Sequence, residues 1–450
     1  MASRTATQMA ADLRAGRTDP VALAQEAYDL VGTHDDPALF ITLFRQRALA
    51  EAEASRIRHK SGIPSSPLDG VPTAWKALFD FKGQVTTAGS VVLENDPPAT
   101  ADAEIVAQAA KAGMVSIGTV NMTEFAYSGI GLNPHYGTPR NIHAAIDSPR
   151  SPGGSSSGSG AVVASGIVPL SMGSDTGGSV RIPASFNGVV GYKTSANRYP
   201  MQGVYPLAPS LDTIGPLAQT VEDCVLCDAV MRGKAKPDVA RADVKRLDFV
   251  IPDNVMFDHA APDVIANFDA TVDRLEAAGA RINRIKLPQL QEILDLMAKH
   301  GFLAGAEALA VHKEHVTGPD AKRIDPRVVR RVLQAEGMTA VDLVVLQQAR
   351  TRMMAETAQL LGDSILLCPT TATTAMEIAP LEADQDVFFQ HNGLTLRNTS
   401  LGNFLDWAGV SIPNGTDRNG MPTGFLLSTS QGRDRQVLSA ALATEEIIRG

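Results

Sequence analysis

The chain has 450 residues, 44% of them hydrophobic and 20% charged, with a formal net charge of −9. That apolar content suffices for a large core and excludes a wholly disordered protein. The acidic balance, with no long run of Lys and Arg, argues against a general binder of nucleic acid.

The opening residues "MASRTATQMAADLRAGRTDP" are polar and mixed in charge, unlike a secretory signal. Nowhere do about 18 apolar residues run together, as a membrane-spanning helix requires. Three cysteines cannot build a disulfide framework, so the cytoplasm is the expected compartment.

The first sixty residues read as amphipathic helices. "DPVALAQEAYDLVG" opens with Asp19 and Pro20 as cap and first-turn residue and stops at Gly32. "ALAEAEASRIRHKSG" is a second helix ending near Gly62. "LDGVPTAWKALFD", broken by Gly70 and Pro72, then favours extended structure. "ADAEIVAQAAKAGMVSIGTVNM" is a helix, a glycine stop and a strand. "TVEDCVLCDAVM" places Cys224 and Cys227 in an apolar helix capped through Thr220 and Asp223, so the C-x-x-C reads as a buried face. Cys368, in "SILLCPTT", reads as core strand.

Farther on, "RLDFVIPDN" is a strand, and a helix from Pro262 to the stop at Gly279 carries Val264, Ile265, Phe268, Val272 and Leu275 on one face. "AGVSIPNGTDRNGMPTGFLLS" reads as two strands joined across Asn419-Gly420. Helices and strands alternate over nearly the full length, which indicates an α/β sheet covered by helices on both faces. With no repeat and no linker-like segment, one domain over 1–450 is expected. Within it fall a helical region at 1–60, a core at 61–215, a variable substrate-side lobe at 246–390 and a return to the sheet at 391–450.

The glycines concentrate in "SPGGSSSGSGAVVASGIVPLSMGSDTGGSVRIPASFNG", Ser151 to Gly188. A flexible linker would be polar throughout, whereas here two glycine-serine clusters flank an apolar segment that must be buried. A phosphate loop would need a Lys-Ser or Lys-Thr pair after the glycines, and none follows. The third reading is chemical. "SDTGGSVRIPA" follows an apolar strand and precedes a helix, and successive glycines there let several backbone N–H groups converge on one point. Such a turn can hold the oxyanion of a carbonyl turning tetrahedral, with Ser179 beside it as nucleophile.

A nucleophilic serine needs a base. His312 and His315 lie in "HKEH", which reads as a solvated helix face, and His135 and His143 lie in a loop near the core. "GSSSG" at 154–158 lacks the strand that leads into a nucleophile elbow, and no paired spacing supports a metal. Lys76, in "VPTAWKALF", is the other base available. An apolar setting disfavours the ammonium and frees the amine, although on bare sequence an exposed or snorkelling lysine is the commoner outcome.

The block "GGSSSGSGAVVASGIVPLSMGSDTGGSVRIPASFNGVVGYKTS" resembles the signature of the amidase signature family nearly position for position. The resemblance extends through "PLDGVPTAWKALFDFKGQVTTAGS", "NMTEFAYSGIGLNPHYGTPRN" and "PLAPSLDTIGPLAQTVED", and weakly to the C-terminal strands. It implies a large central mixed sheet flanked by helices, and a Ser-cisSer-Lys triad. Matched residue by residue, Ser179 is the nucleophile, Ser155 the bridging serine and Lys76 the base. The backbone N–H groups of Thr176, Gly177, Gly178 and Ser179 would form the oxyanion hole, and Ala126 and Ser128 would contact substrate through main-chain atoms. Asp175 and Arg181 read as braces of the turn.

The implied reaction is acyl transfer without metal or organic cofactor, cleaving a C–N bond next to a carbonyl in a small amide or carbamate, with urethanase or esterase activity within the same chemistry. No nucleic-acid or membrane partner is expected, and a homodimer is among the expected assemblies. The alternative is the glutaminase subunit of a tRNA-dependent amidotransferase, whose "DGVRYG"-like element is missing here, where "HVTGPDAKRIDPRVV" stands. Two departures lie beside the lysine: Ala77 where many relatives carry Asp, and Trp75 where a small aliphatic residue is common.

Overall fold

The computed structural model describes residues 4–450. Its strands are β1 (Phe40–Leu43), β2 (Pro72–Lys76), β3 (Val115–Val120), β4 (Leu170–Asp175), β5 (Val190–Lys193), β6 (Thr213–Ala218), β7 (Asp248–Pro252), β8 (Arg281–Ile285), β9 (Ile365–Pro369), β10 (Ala408–Thr416) and β11 (Pro422–Thr429). All eleven join one mixed sheet in the order β1-β3-β2-β4-β6-β5-β10-β11-β9-β7-β8. β2 runs parallel to both β3 and β4, whereas β4, β6, β5, β10 and β11 pair antiparallel in succession. Every residue of β2, β3, β4, β5, β6, β9 and β11 is buried, as strands covered by helices on both faces must be.

The local signals in the sequence have physical counterparts. Asp19 accepts hydrogen bonds from the N–H groups of Val21 and Ala22 and starts the Pro20–Thr33 helix. Gly113, at φ +86°, turns the chain from the Glu104–Lys111 helix into β3. Asn419-Gly420 lies between β10 and β11 as expected. The Val221–Met231 helix is capped by Thr220, which accepts from the Asp223 N–H, and both of its cysteines are buried. Burial pushes both thiols up, the opposite of what a reactive cysteine needs. The 246–390 segment contributes β7, β8 and β9 to one end of the sheet, with helices between them.

The histidine reading needs one correction. His312 is not on a solvated face: it is fully buried on the Leu303–Thr317 helix, on the stripe shared by Ala308 and Val316. Its ring stacks on Phe125 at 4.5 Å, and burial lowers its pKa to about 4. The i, i+4 spacing of these three residues placed it there.

Among the described residues no helix is long and apolar enough to cross a membrane.

Candidate active site

The site forms where two parallel strands end. β2 and β4 pair with Trp75 opposite Met172, so Lys76, the last residue of β2, emerges beside Gly173 and Ser174 on β4. Side chains alternate along a strand, and here the alternation separates two environments. Trp75 packs edge-on against Phe79 and Phe81 in the main core, with ring centroids 5.3 and 5.9 Å away. Lys76 points the other way, to the serines. Trp75 therefore belongs to the packing behind the site, and Ala77 hydrogen-bonds through its N–H to Val120 O.

Lys76 is fully buried, with Nζ 2.7 Å from Ser155 Oγ and 2.8 Å from Ser174 Oγ. Desolvation lowers its pKa from 10.5 to about 7, against the pull of the Asp175 and Asp212 carboxylates, which favour the ammonium. Burial thus favours the free amine over the ammonium. Sequence reading missed Ser174. Its place beside Lys76 follows from the β2–β4 register, which no local pattern specifies.

Ser155 follows a cis peptide bond from Gly154 and precedes the Ser157–Ala164 helix. Its carbonyl accepts the Thr123 N–H at 3.0 Å, and the Ser156 N–H donates to Ser179 O at 3.3 Å. The two serine loops are thus tied by backbone. Ser179 Oγ itself donates to no acceptor among the described residues. Hydrogen bonds between nucleophile and relay are commonly loose before substrate binds.

The turn between β4 and the Arg181–Asn187 helix is built around Asp175. Its carboxylate accepts the N–H groups of Gly178 at 2.8 Å and Val180 at 3.1 Å, the Nε and Nη2 of Arg181 at 3.0 Å each, and Asn403 Nδ2 at 2.9 Å. The Arg181 guanidinium is the main influence holding this carboxyl well below the usual range, against desolvation. One expectation is corrected here: the Gly178 N–H is not aimed at a reacting carbonyl, because Asp175 Oδ1 takes it. The N–H groups of Thr176, Gly177 and Ser179 donate to no acceptor among the described residues, and Gly177 is the part of the turn most open to solvent.

Opposite the turn stands the loop carrying Ala126 and Ser128. Phe125 and Ala126 both have positive φ, +50° and +59°, rare for residues with side chains and found chiefly where function or packing enforces them. Ser128 Oγ and the Gly129 N–H both bond Asn392 Oδ1, at 3.1 and 2.9 Å. On the same Gln385–Phe404 helix, Leu396 stands where a Cβ on Gly177 would meet it at 3.6 Å and one on Gly129 at 3.0 Å, and Thr399 Oγ1 donates to Gly177 O at 2.7 Å. That helix closes one side of the space between turn and loop. His135 bonds Glu124 at 3.0 Å and His143 bonds Asn187 O at 3.1 Å, so neither faces a serine.

Comparison with known proteins agrees with this architecture. The family model described as Amidase matches residues 25–438. The chain is 34% identical to the 2-amino-5-chloromuconic acid deaminase of Comamonas testosteroni, over 89% of this chain and 87% of that one. It is 30% identical to the mandelamide hydrolase of Pseudomonas putida, over 99% and 91%. A solved structure described as a vestigial protein complex that reveals the origins of an s-triazine catabolic enzyme superimposes with a TM-score of 0.88 at 29% identity, covering 98% of each chain. The chain belongs to the amidase family. It is an amidohydrolase of carbon–nitrogen bonds with the α/β fold of the amidase signature enzymes.

Proposed function

We propose that the chain hydrolyses a small amide, aryl amide or carbamate through an acyl-enzyme on Ser179, with Ser155 as relay and Lys76 as base. The observation that carries this reading is the buried Lys76 amine 2.7 Å from Ser155 Oγ, with burial lowering its pKa to about 7. Neutral Lys76 takes a proton from Ser155, which takes one from Ser179 as its Oγ attacks the carbonyl carbon. The oxyanion gathers the N–H groups of Thr176, Gly177 and Ser179, each donor of this kind contributing roughly 2.7–4 kcal/mol to barrier lowering. The relay returns the proton to the leaving nitrogen as the C–N bond breaks, and water then releases the acid and restores the serine. The main chain at Ala126 and Ser128 bounds the substrate on the opposite side. The names of the two relatives, a deaminase of a muconic acid and a mandelamide hydrolase, support a small-molecule substrate.

A fluorophosphonate probe followed by mass spectrometry tests the assignment. Labelling is expected at Ser179 alone and is lost in Ser179→Ala, together with turnover of anilides, primary amides or aryl carbamates. Turnover retained by Ser179→Ala would refute it. Activity of the purified chain without a second subunit separates this reading from a glutaminase subunit that depends on a partner.

A further inference from the structure

The Pro326–Leu333 helix carries three arginines, and two are paired. Arg327 bonds Asp325 at 2.7 Å, and Arg330 bonds Asp386 at 3.0 Å. Arg331 has no carboxylate partner among the described residues. Its Nη1 donates to Tyr127 O at 3.0 Å and its guanidinium lies 4.2 Å from the centre of the Tyr127 ring. Its Nε and Nη2 donate to no acceptor among the described residues, yet neither is sealed from solvent. They face accessible space.

Half-buried arginines without an anion are uncommon, because taking a guanidinium out of water needs compensation. Three others here have explanations of their own: Arg274 donates to Ile447 O, Thr271 Oγ1 and Ile448 O. Arg397 places Nε, Nη1 and Nη2 on Asn398, Asp258 O and Met256 O. Arg350 lies within electrostatic range of Asp406 and Glu307. For Arg331 the one such neighbour among the described residues is Tyr127, and desolvation lowers its pKa.

Position gives the unpaired charge a meaning. Tyr127 stands between Ala126 and Ser128, and Ser128 O packs so closely on Gly154 that a Cβ there would come within 2.8 Å of it. Gly154 directly precedes Ser155. Across Leu396 the same loop faces Gly177. Arg331 is therefore fixed to the loop that carries Ala126 and Ser128, with its Nε and Nη2 directions unused.

We propose that Arg331 is the anion-binding residue of the substrate pocket, so that the substrate class is a small amide or carbamate bearing a carboxylate at the end remote from the scissile bond. This rests on the hydrolase reading for the carbonyl end and on Arg331 alone for the acid end. A carboxylate presented to Nε and Nη2 would form the two-pronged pair for which a planar guanidinium is shaped and a lysine is not.

The probe is a series of linear dicarboxylates from oxalate to adipate, each matched with its neutral diamide, tested for protection of Ser179 against fluorophosphonate labelling. At least one dicarboxylate is expected to protect the wild type better than its diamide. In Arg331→Met that advantage falls about 10- to 100-fold, the loss of charge-assisted hydrogen bonds, and Arg331→Lys lies between. Reading the acid-to-diamide ratio cancels any general loosening of the variant. Labelling of Ser179 with no acid protecting the wild type, or an equal ratio in Arg331→Met, overturns the proposal while leaving the hydrolase reading intact. Should Ser179 fail to label, that reading falls. The same acids titrated calorimetrically then decide Arg331 alone: binding lost in Arg331→Met upholds it, and binding absent or unaltered ends it.

Discussion

Asp175 and Arg181 form a buried ion pair at 3.0 Å that spans the turn between β4 and the following helix. The pair does more than cancel two charges. Asp175 holds the N–H groups of Gly178 and Val180, while Arg181 Nη2 reaches Thr399 O and Asn403 Oδ1 on the Gln385–Phe404 helix. The turn's shape and the wall opposite it are thus fixed by one network.

Breaking that network from either side leaves a buried charge alone. Arg181→Met or Asp175→Ala is expected to cost about 3–5 kcal/mol of stability, measured by denaturant unfolding. Amidase activity falls with it, and in Asp175→Ala the Gly178 N–H also loses its acceptor. A loss below 1 kcal/mol would show that the pair does not brace the turn.

The two glycines of the turn differ in why they are glycine. Gly178 has φ +134°, and a Cβ there would lie 2.2 Å from Thr399 Oγ1. Gly177 has no such conformation, and a Cβ there would meet only Leu396 Cδ2, at an ordinary 3.6 Å. Gly178→Ala should therefore destabilise by at least roughly 1–3 kcal/mol, the cost of an unfavourable backbone region, with the clash in addition. Gly177→Ala should melt within about 0.5 kcal/mol of wild type, as substitutions away from strained or buried features do. Thermal melts of the two variants side by side check this.

Ser174 acts through Lys76. Its hydroxyl, 2.8 Å from Nζ, gives the amine a second contact that fixes its direction toward Ser155. Ser174→Ala should lower kcat up to about tenfold, the order of one hydrogen bond, with KM little changed. Ser174→Thr, which keeps the hydroxyl, should restore most of it. An effect on KM alone would place Ser174 in binding instead.

Much of this was legible in the residues, for local reasons. Asp19, Gly113 and Thr220 announce helix ends through capping and φ, and the apolar alternation of elements announces an α/β sheet. The glycine-serine clusters exposed the serine loops because glycine is tolerated there by geometry. Ser174, Asn392 and Arg331 were hidden for the opposite reason. Each is tied to Lys76, Ser128 or Tyr127, a partner 98, 264 or 204 residues away, and no local spacing encodes such pairings. Gly178 shows a further limit: the sequence marks a glycine turn, but which N–H groups remain free depends on where the Asp175 carboxylate lies.

The depressed pKa of Lys76 predicts two pH effects of defined sign. Activity needs the free amine, so kcat/KM should rise through a pKa near 7 and then level, and Lys76→Ala should lose that dependence along with most of the rate. Stability moves the same way for a different reason. In the unfolded chain Lys76 titrates near 10.5, and in the folded protein near 7, so between these values the unfolded state binds more protons. Folding is therefore favoured increasingly as pH rises from about 7 to about 10, by at most about 1.4 kcal/mol per pH unit. Below pH 7 the lysine is charged in both states, and burial of that charge works fully against the fold. Lys76→Met removes the titration, so the stability difference between wild type and variant should slope with pH across this window. Parallel urea titrations at pH 7, 8 and 9 measure the slope. A flat difference would mean that Lys76 keeps its proton in the folded protein, and it could then not serve as the base.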